Sequence, residues 1–94
     1  MYIRIVRGQA QPGQIEELAQ RWETYFRPLR EQSGVRHAYF AGDRQTGTTI
    51  AVSVWDKQPD AVSRQRMEEF RAQLGDLASA MPPTIDEFEV LADI

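Results

Sequence analysis

The sequence predicts an α+β domain of the ferredoxin-like kind, with elements in the order β-α-β-β-α-β. Two helices would cover one face of a four-stranded antiparallel sheet. Three observations carry this. Four short runs rich in β-branched and aromatic residues are separated by two longer stretches whose apolar residues recur at helical spacing. The middle two runs are joined by a polar turn, Asp43 to Gly47, as in a hairpin. Finally, Thr48–Met67 passes from a strand ending in Trp55, through the polar Asp56-Lys57, into a helix opened by Pro59-Asp60.

In chain order, Tyr2–Arg7 alternates as a strand, with Ile3 and Ile5 on one face and Tyr2, Arg4 and Val6 on the other. Gly8–Gly13 reads as a turn. Pro12-Gly13 leads into a first helix whose buried stripe is Ile15, Leu18, Ala19, Trp22, Tyr25, Phe26 and Leu29, with Glu16, Glu17, Arg21 and Glu23 opposite. Pro28 is expected to kink that helix or end its regular part, because it lacks the N–H for Thr24. Ser33-Gly34 supplies the stop. Val35–Gly42 is the second strand and Thr48–Trp55 the third. A second helix runs from about Pro59 to about Ala78, burying Val62, Met67, Phe70, Leu74, Leu77 and Ala78, weakened a little by Gly75. Arg64 and Glu68 form an i,i+4 pair on its wet side. Met81-Pro82-Pro83 connects to a last strand, Thr84–Leu91.

The sheet face away from the helices is unusually apolar. Ile50, Val52 and Val54 oppose Ala51, Ser53 and Trp55, while Val35, His37 and Tyr39 oppose Ala38 and Phe40. Neither side of this hairpin is polar enough for solvent, which predicts a homodimer through the bare sheet face, since an isologous contact is the commonest cover.

Composition bounds the function. The 94 residues read as a single domain over 1–94, with 41% hydrophobic and 27% charged residues as in an ordinary globular chain. A net charge of −3, with acids and bases mixed and Lys57 as the one lysine, argues against nucleic acid. No apolar run reaches the length of a membrane span, and with a strand starting at Tyr2 no signal peptide is expected. Without cysteine there is no disulfide, thiolate metal site or Cys nucleophile, and a cytoplasmic location is expected. One histidine and no carboxylates in ligand spacing predict no metal.

Pro12-Gly13 before the first helix, Gly34-Val35 at the second strand, Val54-Trp55-Asp56-Lys57 before the second helix and the Pro82-Pro83 connector together resemble the antibiotic biosynthesis monooxygenase family. The resemblance covers nearly the whole chain. It implies pairing as a dimeric α+β barrel and, for the oxidising members, cofactor-independent attack on small planar phenols or quinols. Where phenol-oxidising relatives carry Asn and Tyr, this chain has Ala51 and Ala61; where many members carry a helical His, it has Arg64 and Gln65. Haem-degrading relatives need that His and an Asn on the first strand, where this chain has Ile3, Arg4 and Ile5; a haem-degrading function is therefore not expected, nor any other cofactor.

Five residues are candidates for a site, each with two readings. Trp55 stacks on an aromatic substrate, or packs as core. His37, whose ordinary pKa lies near ~6.5, is a general base or a half-exposed strand residue. Tyr39 donates to a substrate oxygen, or caps the dimer contact with its hydroxyl wet. Ser53 shares the face of Trp55 and lines a site there, or, with no nucleophile elbow around it, is a small residue making room for the helix. Arg4 holds an anionic or phenolate oxygen, or pairs across strands with Glu87 or Glu89, and the pair is favoured. Two functions stay open: an enzyme in which Trp55, Tyr39 and His37 shape the site, and a non-catalytic dimeric module binding a small apolar ligand or a protein. An open cavity beside Trp55, touched by a polar group, is what the enzyme requires.

Overall fold

A computed structural model describes residues 1–32, 34–74 and 83–94. It holds β1 (Tyr2–Gln9), α1 (Ile15–Gln32), β2 (Val35–Gly42), β3 (Thr48–Trp55), α2 (Ala61–Leu74) and β4 (Thr84–Glu89). The strands form one antiparallel sheet in the order β2-β3-β1-β4, the arrangement expected for the ferredoxin-like fold. The expectations for Gly75, Leu77 and Ala78, and for the Met81-Pro82 part of the connector, lie outside the described residues, as does the Leu74 side chain.

Local chemistry explains each entry into a helix. The Gln14 amide donates to the Gln11 carbonyl at 3.0 Å, and Gly13 has φ +76°. Pro12 and Gly13 thus occupy the central positions of a type II turn, the first suiting a fixed φ and the second the left-handed region. β1 runs two residues beyond its expected end, because the Ala10 amide reaches the Gly47 carbonyl at 2.8 Å and ties the strand to the β2–β3 turn. Inside that turn Asp43 accepts from the Gln45 amide at 2.8 Å. α1 continues through Pro28 to Gln32. Gly34 then takes φ +72°, the conformation a helix stop requires.

α2 departs from expectation at its start. Asp60 stands before the helix as its N-cap, its carboxylate accepting from the Ser63 amide at 2.8 Å, with Pro59 buried one place earlier. With that phase the inward stripe is Ser63, Met67 and Phe70, and Val62 is turned out, 58% exposed. Arg64 pairs with Glu87 of β4 rather than with Glu68, whose partner is Arg71. A register shift between Val35 and His37 corrects a further expectation: this β-bulge sends Val35 to the helix side, opposite Trp55, while His37 and Tyr39 stay on the bare side. β4 ends at Glu89, and Leu91 beyond it is exposed.

The core lies between sheet and helices. Trp55, 1% exposed, packs with Phe26, Leu29, Val35 and Met67, with Tyr2, Trp22, Tyr25 and Ala38 against them. The bare face carries the rows His37, Val54, Ile3, Phe88 and Tyr39, Val52, Ile5, Asp86 in register across the four strands. Among the described residues no helix is long and apolar enough to cross a membrane.

Candidate functional site

The sheet divides the five candidate residues. Strand alternation places Arg4, Ser53 and Trp55 on the helix side, while His37 and Tyr39 lie on the bare side. On the bare side both are exposed, with near-parallel rings 6.4 Å apart.

On the helix side Trp55 donates its indole N–H to the Ser53 hydroxyl at 2.8 Å. A buried indole without an acceptor would cost about 1–3 kcal/mol, so Ser53 satisfies the tryptophan as well as making room. Side chains pack around Trp55, and neither groove described below is lined by it or by Ser53, so neither is the open cavity beside Trp55 that the enzyme requires.

Arg4 stands at the centre of the sheet, directly between Ser53 of β3 and Glu87 of β4. It is 4% exposed and bonds Glu87 at 2.7 Å, as the sequence favours. Glu87 has a second guanidinium, Arg64 from α2, at 2.5 Å. Exposure rises outward along the chain of contacts, from 5% for the Arg4 side chain through 17% for Glu87 to 44% for Arg64. Two cations share this one carboxylate, and Asp60 acts on the outer of them, Arg64. Hydrogen bonds from Arg64 hold the Glu87 carboxyl below its ordinary pKa, followed by those from Arg4, against the opposing effect of burial. Burial pulls the Arg4 guanidinium below its ordinary value, with its bond to Glu87 opposing. Its Nε has no hydrogen-bond partner.

Tyr25 of α1 is the other residue with a buried unpartnered polar atom among those described. Its ring stacks on Phe70 at 4.4 Å, and burial raises its hydroxyl pKa. Both orphan groups belong to the layer between sheet and helices. The sequence marks Tyr25 only as stripe, and Arg64 both as a wet-side residue and, by the resemblance, as standing where many members carry a helical His. That position, next to Ser63, is the hint of Arg64's inward reach.

Among the described residues, two grooves lie near these groups. One, about 390 Å³, lies between α1 and β2 against Trp22, Phe26, Ala38 and Phe40; the other, about 530 Å³, lies between the helices beside Tyr25 and Phe70. Among the described residues no three His, Asp or Glu side chains come together as metal ligands would.

Residues 1–74 match the family model described as antibiotic biosynthesis monooxygenase. No curated protein matches the chain. Solved structures do. Rv0793 from Mycobacterium tuberculosis has 16% identity and a TM-score of 0.71, covering 98% of this chain and 96% of its own. A Deinococcus radiodurans protein bearing the family's name has 16% identity and a TM-score of 0.73, over 100% and 96% of the two chains. A Nitrosomonas europaea protein bearing the same name has 14% identity and a TM-score of 0.77, over 98% and 100%. At such identities these likenesses establish the fold, while the family model assigns the membership. The chain belongs to the antibiotic biosynthesis monooxygenase family.

Proposed function

We propose that this chain, as a single domain over residues 1–94, is a homodimeric oxygenase that acts on a small planar phenol- or quinol-type substrate without a cofactor. The observation that carries the reading is the unpartnered Nε of Arg4, a buried guanidinium whose one carboxylate partner, Glu87, is shared with Arg64. Such a donor, in a setting of low dielectric, favours a phenolate or enolate oxygen over the neutral form. An activated ring CH₂ conjugated with that oxygen gives its proton to water, and the resulting carbanion reduces O₂. One oxygen atom stays on carbon as a carbonyl; the other leaves as water with the two hydrogens that carbon gives up. Arg64, the outermost member of the cluster, marks the side by which the substrate enters. Ser53 and Trp55 are buried beside Arg4 and neither described groove reaches them, so on this reading the layer between sheet and helices opens there to admit the substrate.

His37 and Tyr39, on the other face, act as base and donor only if the substrate binds there. Oxygen uptake with anthrone decides between the faces. Arg4→Met is expected to lower uptake about ten- to a hundredfold, the worth of a charge-assisted hydrogen bond, and His37→Ala to leave it unchanged. Loss in His37→Ala with full activity in Arg4→Met would move the chemistry to the bare face. The dense packing around Trp55, with Ala51 and Ala61, favours a second reading, a non-catalytic module binding a small apolar ligand. Saturable binding of 1-hydroxyanthraquinone with no oxygen uptake by the wild type would select it.

The bare face supports the dimer. Tyr39 and Phe88 are 62% and 54% exposed beside the apolar rows of β1 and β3. Light scattering at micromolar concentration is expected to give twice the chain mass of 10.8 kDa. Val52→Asp, in the middle of a row, should abolish that association by burying an unpaired charge. A wild-type monomer would overturn the dimer.

A further inference from the structure

The groove between α1 and β2 has the chemistry of a ligand site separate from the Arg4 cluster. Its floor is aromatic: Trp22, half-buried, stacks on Phe26 with centroids 4.8 Å apart and leans on Phe40 at 5.6 Å. Its rim is charged. Glu23 and Arg27 neutralise each other as an i,i+4 pair, whereas Arg30, also on the rim, has no ion-pair partner among the described residues. An aromatic floor with one unmatched guanidinium above it selects for a flat π-system that carries a single negative charge, since the ring gains stacking area and the anion a fork of donors. The volume of about 390 Å³ lies near the small end of ligand sites and suits one or two fused rings.

We propose that this groove is a second binding site, taking a planar aromatic carboxylate with its ring against Trp22 and Phe40 and its carboxylate on Arg30. The site does not rest on the oxygenase reading, because no member of the Arg4 cluster lines it. Ala38 at its base keeps the floor low, so a longer side chain there would occupy the ring's place.

Titration of ¹⁵N-labelled wild-type protein with 1-naphthoate tests this. The two indole N–H resonances, assigned with Trp22→Phe, report the two layers separately. The Trp22 resonance is expected to shift saturably, together with the Ala38 and Phe40 amides, and that of Trp55 to move less. The neutral 1-naphthalenemethanol should bind about tenfold more weakly, and Arg30→Gln should weaken 1-naphthoate by a similar factor, as loss of a charge-assisted hydrogen bond implies. Ala38→Gln, which fills the groove without touching the charge, should abolish the Trp22 shift. Equal affinity for acid and alcohol, no effect of Arg30→Gln, or saturable shifts at Trp55 without Trp22 would each overturn the proposal.

Discussion

Glu87→Gln is expected to destabilise the protein by about 3–5 kcal/mol, while Arg4→Met changes stability by about 1 kcal/mol or less. The asymmetry follows from burial. Removing the carboxylate charge leaves the Arg4 guanidinium, 4% exposed, without its counter-ion. Removing Arg4 leaves Glu87 still bonded to Arg64 and takes a charge out of the core. Acid unfolding should show the same carboxylate. The Glu87 pKa is held below its ordinary 4.5 in the folded chain, so the unfolded chain binds more protons there as pH falls. Its stabilisation is complete above the ordinary value and is lost as pH drops below 4.5 and through the folded pKa. Asp60, lowered chiefly by the Ser63 amide, adds in the same direction. Urea midpoints between pH 7 and pH 2 should therefore fall less steeply for Glu87→Gln than for wild type. Parallel pH curves, or equal losses for Glu87→Gln and Arg4→Met, would contradict this account. A residue that costs little to remove yet governs turnover fits a functional role for Arg4, so the stability and oxygen-uptake experiments bear on one another.

Much of this architecture is legible in the sequence because its signals are local. Pro12-Gly13 has the residues a type II turn demands, and the Asp43–Gly47 stretch has nothing to bury. Trp55 closes a β-branched run whose alternation fixes which side chains share its face. Three features were hidden because each depends on a contact distant in sequence or on a shift of one residue. The bulge near Arg36 separates Val35 from His37, which no alternation rule anticipates. The Asp60 cap starts α2 at Ala61, and in the stripe that Met67 and Phe70 set its first turn buries Ser63 and exposes Val62, while Arg64 reaches β4. The shared Glu87 appears only when β4 lies beside β1. The separation of His37 and Tyr39 from Trp55 was legible in part, since alternation opposes residues on neighbouring strands only once the register is known.

Trp55→Ala should cost about 3–5 kcal/mol, because the side chain is the largest fully buried one among the described residues and joins α1, α2, β2 and β3 in one cluster. Trp55→Phe keeps most of that area and loses the bond to Ser53, so its cost should be about 1–3 kcal/mol, as should that of Ser53→Ala, which strands the indole N–H in the core. Urea unfolding gives the order Ala worst, then Phe and Ser53→Ala together, with the double variant Trp55→Phe/Ser53→Ala less costly than the sum because neither orphan group remains. The same variants separate packing from chemistry. If Trp55 acts only as core, oxygen uptake per folded molecule in Trp55→Phe stays within about threefold of wild type under saturating substrate. If its indole instead stacks on the substrate, Trp55→Phe loses affinity for anthrone beyond its loss of stability, while Ser53→Ala does not. An additive double variant would mean that the 2.8 Å hydrogen bond contributes nothing, and the role of Ser53 would reduce to its size.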